Sequence, residues 1–587
     1  MPTARIPLVG TFNERSIDGT AALNVPEDQR FLNCTFNIVT NPVTGKSVAY
    51  VEKRPGWGVD STVSSGLAAT GLIKPQGFNA VLSAFGETNS AVYWGTTKIG
   101  DITGRALHFT ETIISASTYV ALKSSDGTGW YYPNGAKDTL SYTGHTSSGS
   151  ATVSTIANTA GLFSGQLITG NTIGAGARVS TVNSATSTIV LTVNSNSTST
   201  ATALTKEPIA KIISANFVAS ATYQSGFIEM DGYLFYAVDT GTVRNSDLNT
   251  VEVYTSTRFV SPNMAPDQPV AVARHKNAII AFGLASKEAF YNAGLASGSP
   301  LQRIPQFFDR IGTLDQRSVT TIENEIYFVS TPYEGDIGVY RIRDLQAQKI
   351  STPQIDRIIG TFATSGSIYA NSFRMSGYPY LGLVLATSQD GPASNLLLES
   401  GDALLLEDGD NILMEDLPAQ TASFNRYLIY NTQLNIWSEW DCNQATFIDS
   451  VGSGTNNQIV AASRFNTSGK VYTINPVSQG ALYQDDGVNY STQIRTSRVD
   501  FGTAKTKFIP EIRLVADRQS TGVVTLEYSD DDYSTWTNAG DFDLTSMEPK
   551  LTRLGSFNGG RAWRLTHSSN AYFRAEALEI DYEVGTR

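Results

Sequence analysis

Cysteine is nearly absent: Cys34 and Cys442 are the only two in 587 residues. They are too few and too far apart for a disulfide framework or a metal knuckle, which points to reduced thiols and cytoplasmic assembly. Histidine is equally sparse, and His108, His145, His275 and His567 stand far from one another. There is no GxxxxGK[ST] phosphate loop, no HExxH zinc helix and no GxSxG nucleophile elbow, so no enzyme class is announced by motif and no cofactor is expected. No stretch approaches the ~20 apolar residues of a membrane span, and the opening MPTARIPLVGTF lacks the apolar core of a signal peptide. The expectation is a soluble chain made without export and without stable membrane insertion. Charged residues amount to only 16%, and the net charge is -12. A protein that grips phosphate backbones carries a basic stripe instead, so gripping DNA is not expected to be the main work of this chain, while repelling DNA stays open.

What the chain has is 50 Gly, 26 Tyr and 26 Phe among abundant Thr, Ser, Val and Asn, with no sustained helical period. That composition predicts an all-β protein of short strands and tight turns. One unit recurs, a turn residue followed by alternating apolar-aromatic strands. Copies begin at Gly232 (GYLFYAVDTG), Asn277 (NAIIAFGLAS), Asn324 (NEIYFVSTPY), Gly377 (GYPYLGLVLAT) and Asn425 (NRYLIYNTQL), at spacings of 45, 47, 53 and 48. This matches the ~40–50 residues of a four-stranded propeller blade. Further copies from Gly77 and Ser117 give six to eight blades; the alternative is a β-sandwich with regularly spaced hairpins.

Two segments break the rhythm. Residues 143–206 are Ser/Thr/Ala/Gly-rich with β-branched runs such as SATVSTI and TIVLTV, read as a small inserted β-domain rather than a linker. The last hundred residues carry longer strands (FIPEIRLVAD, GVVTLEYSD, RAWRLTHSS, EALEIDYEV) typical of a sandwich. The expected organisation is 1–60, an N-terminal interaction arm and first strands; 61–142 and 207–485, a β-propeller-like body; 143–206, the inserted β-domain; and 486–587, a C-terminal β-sandwich.

Within that last unit, SDDDYSTWT aligns Ser529, Asp531, Thr535 and Trp536 with the S-x-D-x-G-x-T-W Asp-box, with Tyr533 in place of its glycine. Such boxes are structural turns in sialidases, and a glycosidase would further need paired carboxylates, or a Tyr nucleophile with an arginine cluster. RIP occurs at Arg5–Pro7 and Arg303–Pro305, neither preceded by the Phe found in sialidases.

The amino terminus, IPLVGTFNERS and then DQRFLNCTFNIVTNPVTGKSVAYVEKRPGW, together with the YSDD…TW…RLG…RAWRLTHS series from Tyr528 to Ser568, resembles the tail hub or nozzle proteins of short-tailed bacteriophages, also called packaged-DNA stabilisation proteins. The resemblance covers roughly the first sixty and last hundred residues. It implies a virion tail protein, a homo-oligomeric ring, commonly a hexamer, docked on the tail adaptor below the portal. Such a ring retains packaged DNA and forms part of the ejection channel, with tail fibres, tailspikes or a tail needle as further partners. DNA would pass through without sequence-specific contact, and no bond-making chemistry is implied. The competing functions are a receptor-binding adhesin and a propeller glycosidase. On this reading Arg5, Phe12, Arg15, Arg30 and Phe31 form the candidate interface arm, alternating cations and aromatics of the types enriched at interfaces. Lys53, Arg54, Phe36, Tyr50 and Trp57 continue the alternation; packing in a core is the alternative for any of these aromatics.

A last feature is LLLESGDALLLEDGDNILMED at 396–416, an eight-residue motif written nearly three times. A calcium β-roll needs stacked nine-residue GGxGxD turns, so three short strands joined at Gly401 and Gly409 are the simpler reading, and no metal is assigned. The acids Glu399, Asp402, Glu407, Asp408, Asp410, Glu415 and Asp416 then form an anionic surface, a candidate lining for a DNA channel.

Overall fold

The computed structural model describes residues 2–9, 30–40, 47–76, 78–114, 116–133, 141–219, 225–295, 297–330, 337–363, 366–387, 426–442, 444–451, 458–474 and 483–586. Their secondary structure is almost entirely antiparallel sheet, organised as seven four-stranded blades. The innermost strands, in order, are Ala69–Ile73, Ala106–Ile114, Ile228–Met230, Ala271–His275, Val319–Ile322, Gly366–Met375 and Phe447–Val451. Each contacts the blade that follows, and the seventh contacts the first, so the ring closes.

Local chemistry explains the hairpins that start the blades. The inner strand turns into the second through Asp231-Gly232, Glu323-Asn324 and Ser376-Gly377, each with two successive positive φ angles (53° and 80°, 50° and 67°, 52° and 87°). That geometry is the two-residue type I′ turn, whose twist matches paired strands and which Gly and Asn adopt at least cost. The repeats read from Gly232, Asn277, Asn324 and Gly377 therefore all begin at the same structural point. The fifth, from Asn425, does not: Arg426–Asn431 and Ile436–Trp440 are the third and fourth strands of the sixth blade. Outer and inner hairpins share one apolar-aromatic alternation, and the long segment before Asn425 happens to restore the spacing.

Closure is achieved by distant chain. The seventh blade takes three strands from Phe447–Val451, Gln458–Ala462 and Lys470–Ile474, and its fourth, Gly58–Thr62, from near the amino terminus. Gly469 makes the return possible. Its φ is +62°, its carbonyl accepts the Val63 amide at 2.8 Å, and a β-carbon there would sit 1.1 Å from the Ser64 carbonyl oxygen.

Other N-terminal strands enter the C-terminal sandwich. Thr3–Pro7 pairs with Arg574–Val584, and the hairpin Cys34–Thr40/Ser47–Lys53 extends the same sheet. Arg30–Leu32 lies between Ile436–Trp440 of the sixth blade and Thr492–Arg495, fusing blade and sandwich into one nine-stranded sheet. The two sheets bury a core that includes Phe31, Phe36, Ile512, Leu526, Trp563 and Leu578. Residues 143–206 build a compact core of their own around Val153, Ile168, Ile189 and Leu204. They remain tied to the second blade, because Ser199–Lys211 is at once that blade's outer strand and the module's central one.

Candidate functional site: the propeller axis and its closure

The inner strands surround a small axial cavity of about 290 Å³, to which all seven blades contribute. That volume is at the lower end of small-molecule pockets, ~300–1,000 Å³. Its polar lining comes mainly from His108, Gln316, Arg317, Tyr369 and Asn371. Gln316 is buried and bridges two blades: its amide accepts from the Val272 N–H and donates to the Val272 carbonyl, both at 2.9 Å. Asn371 does the same across the next junction but one, donating to the Thr446 carbonyl at 3.0 Å and accepting from the Ile448 N–H at 3.1 Å. In each case a side-chain amide stands in for the strand that a closed ring of separate sheets cannot provide. Burial pushes His108 down to about 4, keeping the imidazole neutral at the axis.

At the far ends of the inner strands three further junctions are joined through acidic side chains. Arg274 pairs with Glu229 at 2.9 Å, and Arg374 pairs with Glu323. The Asp449 carboxylate accepts the Lys74 amide at 2.7 Å, and burial raises its pKa to about 7. These groups fasten blade to blade; among the described residues no three His, Cys, Asp or Glu side chains form a metal-holding group.

A second concentration of buried charge sits where the propeller closes onto the sandwich. Arg54 has no exposed side-chain surface. Its guanidinium donates to both Asp485 oxygens at 2.9 and 2.5 Å and to Asn33 Oδ1 at 3.0 Å, and it lies 4.0 Å from the Tyr490 ring centroid. Asp485 also accepts the Trp57 amide at 3.0 Å. Lys53 donates to the Tyr490 and Ser569 carbonyls at 3.1 and 2.8 Å. Burial lowers the Arg54 pKa, but Asp485 and then Tyr490 outweigh it and the net shift is upward. The run Lys53–Trp57 thus locks the strand that completes the seventh blade to the C-terminal sandwich.

The residues singled out in the sequence fall as follows. Arg5 pairs with Glu576 on the neighbouring strand, and Arg30 donates to Glu439 at 3.1 and 2.5 Å. Phe31 is 2% exposed and packs edge-on to Phe36 at 4.8 Å. Phe12 and Arg15 lie outside the described residues, as does the whole 396–416 segment with its seven acids. Cys34 and Cys442 are buried free thiols, the latter pushed up to about 12 by burial. The Asp-box folds as a turn on the sandwich. Asp531 accepts from the Thr535 N–H at 2.9 Å and from the Ser529 hydroxyl at 2.8 Å, and Tyr533 takes its glycine position at φ 67°. Trp536 packs under the Arg564 guanidinium at 4.4 Å. The Asp485 and Gln316 contacts join residues far apart in sequence and left no local signal.

Comparison with known proteins places this architecture. No curated protein matches the chain. Solved structures with some likeness include the phage phi92 endosialidase (10% identity, 91% of this chain, 72% of that one, TM-score 0.28), Chaetomium thermophilum Raptor (11%, 71%, 28%, 0.36) and the designed Ika8 protein (10%, 71%, 99%, 0.32). Likeness this weak carries no argument about function. The family model described as "Bacteriophage P22 Gp10, beta-propeller" matches residues 162–381, from the inserted module to the sixth blade, a span that lies between the two termini bearing the sequence resemblance. Over that span, somewhat more than a third of the chain, the protein is similar to the phage-stabilisation family.

Proposed function

We propose that this protein is a subunit of a tail hub or nozzle ring that docks below the portal-adaptor complex, retains packaged DNA and lines part of the ejection path. The family match supports a tail role. The observation that carries the finer reading is the small size of the space at the propeller axis: a cavity of about 290 Å³ walled by all seven blades has no room for a duplex whose major groove alone is ~12 Å wide. DNA then runs along the axis of a ring of copies, outside every propeller. The propeller's ring is closed by a distant strand, and five of its seven junctions are fastened by buried amides or acidic side chains. The protein makes and breaks no covalent bond in this reading. The Asp-box supports no glycosidase, since it is a turn on the sandwich and not a group at the axis.

The test is to mix the purified chain with the portal and adaptor of its phage and image the product by negative stain. Rings seated on the adaptor support the proposal; a monomer that ignores both partners refutes it.

A further inference from the structure

Residues 143–206 contain two charged side chains, Arg178 and Lys206, and no acid at all, in a chain that is otherwise about one-sixth charged. Both cations turn inward. Lys206 is 2% exposed, donates to the Gly161 carbonyl and lies 5.6 Å from the Tyr142 ring centroid. Arg178 is half-buried, donates to the Gly165 carbonyl at 2.8 Å and lies 5.0 Å from the ring centroid of Trp130 in the second blade. The module therefore presents a surface whose one partly exposed formal charge is Arg178, turned toward Trp130 of the second blade.

The surface also has a centre. In the three-stranded sheet of Thr152–Val153, Val179–Asn183 and Thr188–Leu191, Val190 is opposite Thr152 on one side and Thr181 on the other. All three are exposed, while Val153 and Ile189 fill the module core from the opposite face. Val190 and Val193 are the module's exposed large aliphatics, at 36% and 39%. The face is held out rigidly, because the 13-residue strand Ser199–Lys211 runs unbroken from the module into the outer edge of the second blade.

We infer that the Thr152–Val190–Thr181 face is where one copy of this chain seats on a neighbouring copy, an inference that rests on the ring proposed above. Each copy carries a net charge of -12, so copies repel one another at long range. Juxtaposed like charges cost several kcal/mol, whereas interface centres are depleted in charge. A projecting, uncharged, β-branched face on the propeller's outer edge is the place where two such copies can touch without confronting acids.

The experiment uses the full-length chain, alone and with portal and adaptor, followed by sedimentation velocity and negative stain. Val190→Glu should abolish rings at concentrations where the parent assembles, raising the concentration for half-assembly by about tenfold or more. Val190→Thr, neutral and β-branched, should assemble as the parent does. Circular dichroism and melting establish that each variant folds, and should Val190→Glu misfold, Thr181→Glu poses the same question from the next strand. Parent-like rings from a folded charged variant overturn this contact and leave the ring proposal standing. Loss of host attachment with intact rings assigns the face to a non-self ligand and overturns it equally. A parent that never forms rings overturns both.

Discussion

Removing the Asp485 carboxylate tests how the molecule closes. In Asp485→Ala the Arg54 guanidinium, fully buried, loses its counter-ion, and the Trp57 amide loses its acceptor. Taking one partner from a buried ion pair costs about 3–5 kcal/mol, and the orphaned amide adds about 1 kcal/mol. The loss should be local before it is global, because the pair anchors the chain immediately before Gly58–Thr62, the last strand of the seventh blade. Hydrogen exchange read by mass spectrometry on peptides covering residues 56–64 should show protection falling by about a thousandfold, while strands of the fourth blade, Ala271–His275 and Ala278–Phe282, change little. Arg54→Met combined with Asp485→Leu should recover at least half of the loss, since an apolar pair leaves no buried charge. If Asp485→Ala keeps the exchange of residues 56–64 within about fivefold of the parent, less than about 1 kcal/mol, the closure reasoning is wrong.

Three further outcomes follow from the same contacts. Gly469→Ala forces a β-carbon onto the Ser64 carbonyl and should cost about 3 kcal/mol or more in urea unfolding, whereas Gly66→Ala, with open space around it, should cost about 1 kcal/mol. Gln316→Ala leaves the buried Val272 N–H and C=O unpaired and should destabilise by about 2–4 kcal/mol, with Gln316→Glu no better because it cannot donate when ionised. Burial, and after it Lys53, lowers His567 to about 4, so between about pH 6.5 and 4 the unfolded chain binds a proton that the folded chain refuses; stability falls across that window as pH drops, and His567→Leu should remove up to about 3 kcal/mol of that fall.

The propeller was legible because its signals are local. Asp231-Gly232, Glu323-Asn324 and Ser376-Gly377 are turn dipeptides flanked by alternating apolar residues, and both features act over a few positions. The sandwich strands of the last hundred residues announced themselves in the same way. What stayed hidden depends on partners hundreds of residues away. Nothing in GVDST says that it pairs with KVYTI at 470–474, and nothing in TARIP says that it lies against 574–584. The cation-aromatic alternation of residues 30–57 suits an interface and a core alike. The tertiary structure buries Phe31, Arg54 and Trp57, and Asp485, invisible as a partner in sequence, is the counter-ion that makes a buried arginine tolerable. At the axis Gln316 and Asn371 look like any polar strand residue until the neighbouring blade supplies a backbone to match.

The most direct test of the central claim is a cryo-electron microscopy reconstruction of the full-length chain bound to the portal and adaptor from a DNA-filled particle. The account predicts a closed ring of copies with DNA density on the ring axis, outside every propeller. A single copy per tail, or DNA density threading a propeller, would contradict it.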